Sequence, residues 1–242
     1  MVNVDFFKEL RRDAYVKCMN HFINGDSVAG ILGSVDEAFL RGFGLIPIPI
    51  LSTDGYIFEF GGKEFACDAI NSTAIYMQTD KCPLIFSSKF IVYENYCPLL
   101  IESLKGINKK DFILFSELNQ YLKVRGYNFS DNLYEKSKEI LDYIDKKINF
   151  LSKTNINSRL LSYAKFYSAY ETDLEKRKEI IDELAEDYEF EDKKREIFYT
   201  LCPYGILDGI KGEDYDVVIG ENQEYAPMGC ALKHKNNISY EV

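Results

Sequence analysis

The sequence predicts an α/β protein with a parallel-sheet, Rossmann-like first lobe, a helical segment, and a truncated second α/β lobe. Three observations carry that prediction. Between residues 28 and 115, short apolar runs of strand length alternate with segments of helical periodicity, the order of elements in a parallel sheet. From residue 130 to about 192 the pattern is helical throughout, with no strand-like run. Strand-like runs then return at Glu196–Leu201 and Tyr215–Ile219. The organisation read from this is residues 1–129 as one α/β lobe, and residues 130–242 as a helical segment with a short second lobe.

Each element has a local reason. Phe7, Leu10, Ala14, Cys18 and Phe22 recur at steps of three and four, which puts them on one face of a first helix. Asn24-Gly25-Asp26 ends it with turn chemistry. Val28–Leu32 has strand length, and Gly33 and Ser34 follow. Ser34 and Glu37 have the capping-box spacing, with Ser34 as the expected cap of a helix from about Val35 to Arg41. Gly42-Phe43-Gly44 stops that helix, and Leu45–Ile50 reads as the next strand. A βα turn at the carboxyl end of a strand is where open α/β sheets bind ligands.

Cys67–Thr79 can be helical, with Ala69, Ala74 and Ile75 apolar. Strand-like residues cluster at Phe90–Tyr93, Cys97 opens a helix through Leu100, Ile101 and Leu104, and Asp111–Phe115 is a short strand. Leu133, Ile140, Leu141, Ile144 and Ile148 define an amphipathic helix capped by Ser130 or Asp131. A long helical stretch, Leu160 to Phe190, follows Asn157 and breaks near Tyr170-Glu171-Thr172. Its charges, Asp173 with Arg177 and Glu175 with Lys178, have helical spacing and read as a solvated face.

Composition removes several function classes. Hydrophobic residues are 46% and charged residues 28% of the 242, ordinary globular usage. With 29 basic and 39 acidic residues the net charge is −10, so the large basic footprint of a nucleic-acid binder is missing. The longest apolar run, Leu45–Leu51, is broken by Pro47 and Pro49 and falls short of the ~18 residues of a membrane span. Met1–Glu9 carries Asp5 and Glu9 and lacks the basic-then-apolar order of a signal peptide. The expectation is a soluble, cytoplasmic protein with neither nucleic acid nor membrane as partner.

Six cysteines are too few for a disulfide scaffold, and no CxxC pair proposes a zinc site. Three of the six precede proline, at Cys82-Pro83, Cys97-Pro98 and Cys202-Pro203, far more than random placement supplies. A following proline keeps the cysteine out of helical geometry and holds it on an extended turn. Cys67 and Cys97 both fall near helix starts, where thiolates are favoured. His21 in the first helix and His234 in the tail give no context for a Ser-His-Asp triad. Gly42-Phe43-Gly44 follows a helix instead of opening one, which argues against nucleotide binding.

Ser27–Pro47, Cys67, Cys97, Asn157-Ser158-Arg159-Leu160-Leu161 and Arg195–Cys202 together resemble the 2-hydroxyacyl-CoA dehydratase (benzoyl-CoA reductase-like) subunit family. The first stretch has that family's strand, serine, acidic residue, helix ending in glycine, and proline-led apolar segment. The resemblance implies two α/β lobes with a 4Fe-4S cluster held between them by three cysteines. It also implies a related subunit or self-association as partner, an ATP-dependent activator protein, and an acyl-CoA as ligand. The reaction implied is radical dehydration of an (R)-2-hydroxyacyl-CoA, or reduction of an acyl-CoA.

Carried over residue by residue, Cys67 and Cys97 match the first two cluster ligands. Cys202 and Cys230 are candidates for the third, and Cys202 is chosen because it ends a strand and precedes proline. Ser34 and Glu37 are the candidate catalytic side chains; capping their own helix is the alternative role of each. Asp36 stands where the family commonly has proline, Pro98 where it often has aspartate, and family subunits are longer. The rival from another class is a cluster-free interaction or regulatory subunit that keeps the fold.

Overall fold

A computed structural model describes residues 2–52, 55–62, 68–94, 96–191, 196–199 and 217–220. The described chain divides into two compact units, one of residues 14–135 and one of residues 1–13 with 136–242. The first helix, α1 (Val4–Asn24), belongs partly to each. Its apolar stripe is as the spacing predicts: Phe7, Leu10, Ala14 and Cys18 are buried. Phe22, the last of the series, lies in the final turn of the helix and is exposed, its ring 5.2 Å from that of Phe86.

The 14–135 unit is built on a four-stranded, all-parallel sheet. Its strands are β1 (Val28–Gly33), β2 (Ile46–Pro49), β3 (Ser88–Glu94) and β4 (Phe112–Leu114), in the order β2-β1-β3-β4. The helices between them are α2 (Glu37–Gly42), α3 (Asp68–Thr79), α4 (Pro83–Ser87) and α5 (Pro98–Ile107), and α6 (Phe115–Val124) follows β4. A single 3₁₀ turn, Gly55–Glu59, precedes α3. This is the parallel-sheet α/β class that the alternating pattern predicts. The sequence pattern predicts no helix after β4; α6 starts at Phe115 without a capping side chain.

Both faces of β1 are covered, as parallel strands require. On one face Ala29 and Ile31 join Leu40 and Phe43, Phe90 and Val92, and Leu118 and Leu122 in one apolar cluster. Phe129 closes this side, because Gly42 has no side chain: a Cβ there would lie 2.3 Å from the Phe129 ring. The Ser130 N–H then donates to the Gly42 carbonyl at 2.7 Å. On the opposite face of β1, Gly30 faces Ile50, Ser88 and Ile91.

Backbone bonds explain the prolines of β2. The amides of Ile46 and Ile50 donate to Ser27 and Ile31 O, at 2.9 and 3.3 Å. Amide directions alternate along a strand, so the nitrogens of Pro47 and Pro49 face away from β1, on the outer edge of the sheet. An edge without N–H donors cannot template another strand.

The second unit contains all but the first turn of α7 (Asp131–Leu151), together with α8 (Ser158–Tyr167), α9 (Leu174–Glu186) and the parallel pair β5 (Glu196–Tyr199) and β6 (Val217–Gly220). Of the two possible caps for α7, Ser130 is the one used: its Oγ accepts from Leu133 N at 3.4 Å. Asn157 caps α8 through Arg159 N and Leu160 N. Tyr143 and Lys147 on α7 both reach Asp182 on α9, at 2.7 and 3.2 Å.

The long helical stretch breaks where the sequence indicates, through a 3₁₀ turn at Ser168–Tyr170. The solvated-face reading needs correction there. Asp173 is the N-cap of α9, accepting from Glu175 N and Lys176 N, and Arg177 is buried. Glu171 is buried as well, its carboxylate accepting from Asp173 N at 3.0 Å. Charge periodicity records spacing, not which side of the helix faces its neighbours.

Replacing both edge prolines (Pro47→Val with Pro49→Val) would give β2 two outward N–H groups. The variant is expected to self-associate beyond the wild type as concentration rises, measured by sedimentation velocity. Identical sedimentation of the two proteins would show that the edge is protected by something else.

Candidate functional site

In a sheet of order β2-β1-β3-β4, the chain leaves β1 toward β2 and later returns to the other side as β3. The carboxyl ends of β1 and β3 are therefore the switch point, the place where open α/β sheets bind ligands. Two candidate residues lie there. Ser34 directly follows β1, and Cys97 follows β3 and precedes α5.

The β1 turn is tight. Gly33 has φ +80°, and Val35 N donates to its carbonyl at 2.9 Å. Only glycine adopts that φ without strain. Ser34 is exposed, and its N–H donates across to the Glu94 carbonyl at 3.1 Å. The two strand ends are thus joined beyond their last regular pair, Gly33 with Glu94.

The expected capping box is not formed. Asp36 is the N-cap of α2, its carboxylate accepting from Phe39 N at 3.1 Å. Ser34 lies two residues before it, outside the helix. Glu37 is half-buried and faces Arg41 one turn on, at 4.0 Å. The S-x-x-E spacing of Ser34 and Glu37 masked the plainer signal, an aspartate immediately before the first helical residue. Ser34 is therefore relieved of a capping role, while Glu37 has a partner within its own helix.

On the β3 side, Cys97 takes the N-cap position of α5 with φ −52° and ψ 113°, and Pro98 is the first helical residue. Proline suits that position because its missing N–H would have no helical partner. Cys97 O accepts from Ile101 N at 3.1 Å, and its side chain makes no capping bond. The residue is buried at 6% exposure, while Leu99 beside it is 61% exposed. Cys82 repeats the arrangement at the start of α4, with φ −93°, ψ 113° and Pro83 following. At both sites the cysteine is kept out of helical geometry, as a following proline requires; Cys82 is extended as expected, whereas Cys97, with its smaller φ, falls outside the extended region. The third pair, at Cys202, lies outside the described residues, as do Cys67 and Cys230.

The remaining described cysteine is a packed thiol. Burial pushes Cys18 up to about 12, against a hydrogen bond with Ser87 that lowers it. A thiol held protonated this way is a poor nucleophile and a poor metal ligand. His21 is likewise accounted for: its Nδ1 lies 2.7 Å from the Asp26 carboxylate, a contact at the end of α1.

Among the described residues no group of three or more His, Cys, Asp or Glu side chains gathers as a metal site. No helix among them is long and apolar enough to cross a membrane. The chain matches no protein-family model and no curated protein sequence. The family resemblance therefore rests on the motifs and their spacing.

Two participants carry no signal in the sequence. The Glu94 carbonyl and Tyr96 both press on the β1 turn, sixty-odd residues away along the chain, and no local pattern links positions that far apart. Removing the real cap (Asp36→Ala) is expected to cost about 0.5–2 kcal/mol. Ser34→Ala is expected to stay within about 0.5 kcal/mol, as for a surface change. Urea unfolding of the two variants measures both; a reversed order would return the cap to Ser34.

Proposed function

We propose that the chain is an iron–sulfur subunit of the 2-hydroxyacyl-CoA dehydratase type, with Cys67, Cys97 and Cys202 as thiolate ligands of a 4Fe-4S cluster. One observation carries the reading: Cys97 stands at the amino end of α5, on the switch-point edge of a parallel sheet, beside the turn that carries Ser34. A thiolate there is favoured by the partial positive charge of the helix terminus. Sulfur donors of this kind suit iron, and three of them leave one iron open to a ligand oxygen.

When bound, such a cluster supplies one-electron chemistry to a thioester carbonyl, which no side chain can provide. The protein's own contribution is position. Ser34, exposed and free of a capping role, offers a hydroxyl at the same edge to an acyl carbonyl. Glu37, engaged by Arg41, is the lesser candidate. A related subunit or a second copy of the chain, and an ATP-using activator, complete the proposal.

The burial of Cys97 favours the second reading, a cluster-free interaction or regulatory subunit, because Cys18 and Cys82 are buried in the same way. Anaerobic reconstitution with iron and sulfide separates the two. The iron–sulfur reading expects brown protein absorbing broadly near ~400 nm. It also expects iron and acid-labile sulfide that Cys67→Ala, Cys97→Ala or Cys202→Ala each diminish. Colourless protein with background iron after reconstitution selects the cluster-free reading.

A further inference from the structure

We propose that Gly33 is a positioning residue for Cys97: its missing side chain seats the β3 turn on the end of β1, and that seat keeps the Cys97 thiol buried. The inference concerns the thiol itself and stands whether or not the thiol ever meets iron.

Three observations converge on it. A Cβ built on Gly33 would lie 2.0 Å from the Glu94 carbonyl oxygen and 3.1 Å from both Cβ and Cδ2 of Tyr96. The first contact is with backbone, which cannot rotate away as a side chain can. The same Glu94 carbonyl accepts the Ser34 N–H at 3.1 Å, so one oxygen both closes on Gly33 and anchors the following residue. Cys97 is the next residue after Tyr96 and is 6% exposed although Leu99, two residues on, is 61% exposed. Residues 94 and 96 rest on the space that Gly33 leaves, and Cys97 follows Tyr96 directly in the chain, so the proposed seat lies one residue from the buried thiol.

Gly44 supplies the control. It too has a positive φ, +70°, but nothing lies within 4 Å of a Cβ built there. Gly44→Ala bears the backbone strain alone, while Gly33→Ala bears the strain and the collision.

The test is alkylation of the native full-length protein by iodoacetamide, followed for each cysteine by peptide mapping, with Cys18 and Cys82 as internal measures of general opening. In Gly33→Ala the Cys97 rate is expected to rise about tenfold or more, the sign of a local opening with its own free energy. Cys18 and Cys82 should stay at wild-type rates, and Gly44→Ala should leave all three unchanged. Tyr96→Ala, which introduces no strain, should also speed Cys97 alone, and it decides the matter if Gly33→Ala does not fold. A wild-type Cys97 rate in either variant, or a rise shared by all three cysteines, would overturn the proposal.

Discussion

The ends of β1 and β3 are joined by a backbone hydrogen bond from Ser34 N–H to Glu94 O, made one residue beyond the last strand pair. Everything proposed for the site depends on it. Strands in a parallel sheet normally diverge into their loops at the carboxyl edge, and at a switch point they diverge in opposite directions. Here the loops are held together instead, because Gly33 takes a left-handed φ and presents no side chain to Glu94. Ser34 and Cys97 consequently share one edge on neighbouring strands.

What the sequence discloses is the part of this arrangement that is local. Apolar runs of four to six residues separated by helical periodicity specify β1, β2 and β3 and the parallel class. Cys97-Pro98 specifies a helix start, because proline both fixes its own φ and keeps the preceding residue out of helical geometry. Asn157 and Ser130 act as caps for the ordinary reason that their side-chain oxygens meet free helix N–H groups. These inferences need no knowledge of the fold.

What it conceals is non-local or ambiguous between neighbours. Ser34 and Asp36 are both good caps two residues apart, and it is Asp36 that caps α2, while the Ser34 N–H is bonded to Glu94 O on the neighbouring strand. Arg177 has the spacing of a solvated ion pair with Asp173, yet it is buried, and the Asp173 carboxylate also caps the helix terminus. The union of residue 33 with residues 94 and 96 leaves no trace in any short window. Cysteines show the same limit: Cys18, Cys82 and Cys97 are alike in being buried, and only placement relative to the sheet edge distinguishes Cys97.

The most direct measurement is native-state amide hydrogen exchange at Ser34. Its side chain is exposed and it lies outside any strand or helix, so without the bond to Glu94 its amide would exchange at the rate of an open loop. The account expects protection comparable to that of Ile31 and Val92 in the strands it links. Loop-like exchange at Ser34 beside protected strand amides would contradict it, since the two strand ends would then not be joined.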